Sequence, residues 1–142
     1  MSATVIDVLG GSKVLGKRAD SGFNMVERIR EGLPYSSLEA LMRRLKLTRE
    51  EASASLAVPL RTLARRKRER KLSATESDRL YRLARVGSQA LAIFGTEEAA
   101  AHWLRSRIPA LGMGVPLDLL DTDAGALEVQ NVLFRVQHGV YS

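Results

Sequence analysis

Cysteine is absent from the 142 residues, which excludes disulfides, thiolate nucleophiles and Cys-rich zinc sites and fits a reducing cytoplasm. The opening "MSATVIDVLGGSKVLGKR" lacks a basic leader followed by an apolar core, and no apolar run approaches the roughly 20 residues that a membrane span needs. A soluble, cytoplasmic protein is therefore expected. Sustained period-two alternation is missing too, while Ala, Leu, Arg and Glu dominate, so the chain is expected to be all-α. With 45% hydrophobic residues it has enough apolar material to build a core without staples.

The usual constellations of catalysis are also missing. "GGSKVLG" is not a phosphate loop, because Lys17 follows Gly16 but Arg18 stands where Ser or Thr is needed, and the earlier glycine spacing is wrong. It reads as a turn between two small elements. His102 and His138 are the only histidines, and neither has a second ligand at metal-site spacing. Asp118, Asp121 and Asp123 do not fall in the register of a calcium loop, and capping around Thr122 and Asp123 accounts for them. No nucleophile elbow or paired glutamates occur. No catalytic residue, metal or cofactor is expected.

What the chain does hold is concentrated charge. The stretch Leu60 to Lys71, "LRTLARRKRERK", contains seven basic residues and one acid. The whole chain has 22 Lys and Arg against 16 Asp and Glu, so setting those seven and one aside leaves 15 of each and places the entire net charge of +6 in this segment. A surface helix normally mixes signs for pairing and solubility, so a one-sided run points to a polyanion such as DNA.

The surroundings of the run specify a helix-turn-helix. Ser36 or Ser37 is a candidate cap for a helix with Leu38, Leu41, Met42 and Leu45 on one face. Thr48 with Glu51 three residues on forms a capping box that starts a short helix ending near Leu56. Ala57, Val58 and Pro59 break it, and a second helix runs from about Leu60 to Arg70. A step of about 100° per residue gathers Leu60, Leu63 and Ala64 on a packed side, and Arg61, Thr62, Arg65, Arg66 and Glu69 on a free one. Arg61, Arg65 and Arg66 are candidates for guanine contacts, Thr62 for a thymine methyl or a phosphate, and Lys67, Arg68, Arg70 and Lys71 for phosphates. One such helix covers few base pairs, so a homodimer is expected.

On either side lie further helices. In the N-terminal region, residues 1–35, Gly10 and Gly11 stop a short apolar stretch, and Phe23, Met25, Val26 and Ile29 share a helical face; this region is a candidate for dimerisation. After the basic run, Ser73 and Glu76 form a second capping box. It opens a long helix striped by Leu80, Leu83, Ala84, Ala90, Leu91 and Phe94 and stopped by Gly95, completing a helix-turn-helix region of residues 36–95. In residues 96–142, Thr96 caps a helix carrying Trp103, the one tryptophan. The connection "RIPALGMGVPLDLLDTDAG" leads to a last helix from about Asp123 to His138, with Val129, Val132, Leu133 and Val136 packed. Leu111, Met113, Val115, Leu117, Leu119 and Leu120 are many apolar side chains for a connection; they either close the core or form a partner patch.

The stretches "LTREEASASLAVPLRTLARRK", "LSATESDRLYRLAR", "WLRSRIPALGMGVPLDLLDTDAGALEV" and the terminal "GVYS" resemble the Xre/MbcA/ParS-type antitoxins, as do the early "LGGSKVLGKR" and "REGLP". The resemblance spans nearly the whole chain. It implies a type II toxin-antitoxin system in which this chain neutralises a RES-domain toxin that consumes NAD, and represses its own operon through the helix-turn-helix. It also implies that the segment from Trp103, through Pro109, Leu111, Gly112, Pro116 and Leu117, binds the toxin, while Gly139, Val140, Tyr141 and Ser142 approach the toxin's NAD pocket. A glycine hinge, an aromatic ring and a free carboxylate suit a cleft built for a ring and phosphates. Three features depart from the family pattern: Ile108 in place of an Asn, "GMGV" in place of a more polar turn, and Pro59 where a Ser often caps the recognition helix. From the residues alone, a stand-alone repressor with a C-terminal oligomerisation or sensing domain is the alternative.

Overall fold

A computed structural model describes residues 4–16 and 22–139. The tail residues Val140, Tyr141 and Ser142 and the side chain of Phe23, singled out above, lie outside the described residues.

Among the described residues the chain is all-α. Helices α1 (Val5–Val8), α2 (Gly11–Leu15) and α3 (Gly22–Glu31) precede α4 (Tyr35–Leu45), α5 (Arg49–Leu56) and α6 (Leu60–Glu69). The long α7 (Ala74–Phe94) then leads to α8 (Glu97–Arg105), to 3-10 turns at Pro109–Leu111 and Pro116–Leu119, and to α9 (Asp123–Gln137).

Hydroxyl chemistry starts most of these helices. Thr48 Oγ1 accepts from Glu51 N while Glu51 Oε1 accepts from Thr48 N, and Ser73 and Glu76 repeat the arrangement; Thr96 and Thr122 cap α8 and α9. Helix α4 starts differently from expectation. Pro34 occupies its N-cap, and the first amide is satisfied by a distant partner, the carbonyl of Arg70, at 3.1 Å from Tyr35 N. Neither Ser36 nor Ser37 caps it: Ser36 is exposed, and Ser37 is buried one turn in, donating to Pro34 O. Two other expectations at the N-terminus also change. Residues Gly11–Leu15 form a helix of their own instead of a turn, and Val26 is 44% exposed while its neighbour Met25 is buried.

Helix α7 is the axle of the molecule. It packs against α1, α3, α4, α5, α8 and α9, and Leu80, Leu83, Ala84, Val86, Ala90 and Leu91 are buried along it. Gly87 allows a close crossing, since a Cβ there would stand 2.7 Å from Leu45 Cδ1 of α4. Polar ties complete the contacts: Arg79 Nη1 donates to the last carbonyls of α5, those of Leu56 and Ala57, and Arg82 Nη2 and Gln89 Nε2 donate to the carbonyls of Leu120 and Gln130. Arg79 thereby holds the α5–α6 turn from behind and meets the negative end of the α5 dipole.

A second tie joins α8 to the start of α5. Arg105 grips the Glu51 carboxylate side-on (Nε–Oε2 2.9 Å, Nη2–Oε1 2.7 Å) and also donates to the carbonyls of Lys46 and Ala101. Burial alone would raise the Glu51 carboxyl, but hydrogen bonds from Arg105 and Thr48 outweigh it and hold the carboxyl below its ordinary range.

The chain closes on itself beside the basic run. Leu72 N donates to Leu33 O at 2.9 Å, and Leu33 N donates to Ser77 Oγ at 2.7 Å. Gly32 makes this approach possible. Its φ is +98°, and a Cβ would lie 2.2 Å from Leu72 O. Gly32→Ala should therefore cost about 2 kcal/mol or more and lower the thermal midpoint by roughly 5 °C or more in a circular-dichroism melt.

The carboxyl of Glu51 supplies stability that is present above the ordinary carboxylate range and is lost as the pH falls through its depressed folded value. Melts of the wild type and of Glu51→Gln, which keeps the capping geometry, should differ at about pH 7 and converge as the pH falls below the depressed folded value of the carboxyl.

Candidate nucleic-acid and toxin interfaces

Helices α5 and α6 and the turn between them form the expected helix-turn-helix. Ala57 ends α5 in the left-handed region (φ +52°), and Val58 N donates back to Ser53 O while the Val58 side chain is buried. This is a Schellman closure made without glycine. Pro59 is the N-cap of α6 and offers no side-chain acceptor, so the first amides of α6 are left uncapped by any side chain.

Helix α6 buries one residue, Leu63. Leu60, expected on the packed side, is 39% exposed, and Ala64 is half-buried. The outward ridge consists of Arg61, Arg65 and Arg68, which are exposed and spaced by four and three so that they share one face. Arg68, expected from the sequence to meet phosphates, shares this ridge with Arg61 and Arg65. Lys67, Arg70 and Lys71 are exposed on the flanks and Thr62 is half-buried. Among the described residues none of these six cations is in an ion pair.

Arg66 stands apart from them. Its Nε and Nη2 meet Glu76 Oε1 and Oε2 at 2.7 and 3.0 Å, and its Nη1 meets Glu69 at 2.9 Å. Glu76 is 7% exposed. Burial alone would raise its carboxyl, but the bonds from Arg66 and Ser73 prevail and keep it below the ordinary range; Glu76 and then Glu69 in turn raise the Arg66 guanidinium further above physiological pH. The expectation that Arg66 lies free on the cationic side therefore gives way to one in which it faces α7.

The other candidate surface is built by α8, the two turns and α9. Trp103 is half-buried, its ring 5.4 Å from that of Phe94. The loop Ile108 to Gly114 closes through Ile108 N to Gly114 O and Met113 N to Ile108 O, both 3.0 Å, with Gly112 and Met113 in the left-handed region. Pro109 and Gly112 are exposed and Leu111 is half-buried against the core. Pro116 and Leu117 are buried, so they shape this surface from beneath. Of the connection's apolar residues, Leu117 and Leu120 close the core, Leu111, Val115 and Leu119 pack against it, and Met113 is 51% exposed.

Helix α9 carries more apolar surface than its core face needs. Ala126, Val129, Val132 and Leu133 are buried, but Val136, expected to be packed, is 38% exposed. Leu127 and Phe134 are more than half exposed on the opposite side, where the Phe134 ring lies 4.1 Å from that of His138. Sequence reasoning missed these two. Their separation of seven residues, on the face opposite Val129 and Val132, was the available signal. Gly139 follows, exposed and with φ +68°.

Two segments of the chain match known protein families. Residues 25–85 match the antitoxin Xre-like helix-turn-helix domain, and residues 89–139 match the antitoxin Xre/MbcA/ParS C-terminal toxin-binding domain. The chain is 30% identical to the antitoxin Xre of Photorhabdus laumondii, over 92% of this chain and 89% of that one. It is 31% identical to the antitoxin Xre of Yersinia enterocolitica, over 90% and 88%. A protein of a Sphingobium species named Prs ADP-ribosylating antitoxin is 27% identical over 80% of this chain and 78% of its own length. With a helix-turn-helix, a following helical toxin-binding domain and relatives that match along almost the whole length, the chain belongs to the Xre/MbcA/ParS family of antitoxins.

Proposed function

We propose that this antitoxin has no catalytic step of its own, acts in the cytoplasm, and does two things with two surfaces. Through α6 it binds operator DNA as a homodimer and represses its own operon; through the region 96–142 it blocks the active site of an NAD-consuming RES-domain toxin.

The observation that carries the DNA reading is the set of six exposed cations, none ion-paired among the described residues, on and just after the second helix of a helix-turn-helix. Leaving like charges together is unfavourable in a free protein and is relieved by phosphates, which release counterions when neutralised. Arg61, Arg65 and Arg68 form the ridge that enters the major groove, where an arginine fork reads guanine. Lys67, Arg70 and Lys71 meet phosphates on the flanks, as do the uncapped amides at the start of α6. A dimer follows from the small number of base pairs that one helix covers, and the N-terminal helices are the proposed contact between copies.

Support for the toxin reading comes from the apolar residues that α9 leaves outside, which lie within the segment matched to a toxin-binding domain. Leu127 and Phe134, side by side on the outer face of α9, make a surface that a partner would cover, and Gly139 to Ser142 continue from the end of the helix into the toxin's NAD cleft. That one relative is named an ADP-ribosylating antitoxin fits a partner whose chemistry uses NAD.

Reversing Arg61, Arg65 and Arg68 to Glu should lower affinity for a promoter duplex by a factor of about 1000 or more at moderate salt, in gel-retardation titrations, and leave toxin neutralisation intact. Full retention would overturn the DNA reading. In co-expression with the RES toxin, Leu127→Asp with Phe134→Asp should abolish copurification. A chain ending at His138 should still copurify yet no longer protect the cells. Protection by that shortened chain would count against a tail in the active site.

A further inference from the structure

Helix α6 is held to the body in an unusual way. Leu63 is its one buried residue, and a single apolar anchor leaves a helix free to roll about its own axis. The ends add less than they seem to. The Ala57–Pro59 turn and the bond from Tyr35 N to Arg70 O fix where α6 begins and finishes, but they do not fix which side of it faces outward. A roll of about 20° moves a side chain 6 Å from the axis by roughly 2 Å. That displacement exceeds what a forked hydrogen bond to a base tolerates.

Arg66 lies three residues after Leu63, on the same side of the helix. Its guanidinium docks side-on against both oxygens of Glu76, and Glu76 is itself tied to the backbone, because Oε1 also accepts from Ser73 N at 2.8 Å within the capping box of α7. The planar fork thus supplies a second fixed point one turn from the first, and two points on one face define the roll. Its charge is also spent on Glu76 and Glu69, leaving little for a phosphate.

Resting on the reading of α6 as the DNA-recognition helix, we infer that Arg66 is a specificity-determining positioning residue: paired with Glu76, it sets the roll of α6 so that Arg61, Arg65 and Arg68 face the groove, and it does not itself touch DNA. The pair converts rigidity at the start of α7 into sequence discrimination on the opposite side of α6.

Two explanations predict opposite signs for Glu76→Gln. Were Arg66 a contact held back by its partner, removing the carboxylate would add a free cation to the ridge and tighten binding. As a positioning pair, the change loosens the roll and weakens specific binding; Gln keeps the capping box of α7, and a melt verifies the fold.

The test uses a duplex selected by the wild-type protein from a random pool, an unrelated duplex of equal length, and titrations over a range of salt. Arg66→Gln and Glu76→Gln should each weaken binding to the selected duplex by about tenfold, the loss expected of one spoiled base contact. Neither should alter binding to the unrelated duplex or the slope of log K against log salt. Arg66→Lys should fail to restore the loss, because an ammonium cannot span two carboxylate oxygens in a fixed plane, and the two Gln changes together should lose no more than either alone. A salt slope reduced by about one in Arg66→Gln, tighter binding by Glu76→Gln, or equal losses on both duplexes would overturn the inference while leaving the DNA reading standing. If the wild type selects nothing from the pool, the DNA reading falls and this inference with it.

Discussion

Two carboxylates govern how this chain is put together. Glu51 and Glu76 occupy the same position in their helices, the third residue after a hydroxyl cap, and each accepts from the backbone of its own cap while receiving an arginine side-on. The location matters, since the first turn of a helix favours negative charge and the capping bond holds the carboxylate still before any arginine arrives. An exposed ion pair ordinarily contributes little because two long side chains must be ordered to make it; here one partner is already ordered. Arg105 thereby ties α8 to the helix-turn-helix, and Arg66 ties α6 to α7.

On that frame the molecule separates its two surfaces by chemistry. The face of α6 is cationic and unpaired, suited to a partner that is charged everywhere. The outer face of α9 is apolar, with Leu127 and Phe134 more than half exposed, suited to a partner that is not. Neither surface contributes to the core. Leu63 anchors the first and Val129, Val132 and Leu133 anchor the second, so side chains on the outside are free to serve recognition.

Chemistry confined within a few residues was legible in the amino-acid sequence. The pairs Thr48 with Glu51 and Ser73 with Glu76, and the caps Thr96 and Thr122, announce helix starts because both partners lie within one turn. Helix ends announce themselves less well here. Lys46, Ala57 and Arg70 adopt positive φ at the C-caps of α4, α5 and α6, where glycine would have been the visible sign. The start of α4 was misread because its first amide is satisfied by Arg70, remote in sequence. Arg66 was misread for a related reason, its partner lying beyond the reach of a helical wheel. Val136 was assigned to the core by periodicity, yet it falls in the last turn of α9, where little core remains to cover it.

The seam between the two matched domains, after residue 85 and before residue 89, falls inside α7, which runs unbroken from Ala74 to Phe94. The halves are therefore joined by a rigid rod rather than a tether. In such a joint the bearing of one surface relative to the other is counted in residues: each one added or lost at the seam turns the far half by about 100° and shifts it by about 1.5 Å. A splice or a change of length at this point that broke helical phase would therefore re-aim one surface relative to the other, whatever side chains it carried.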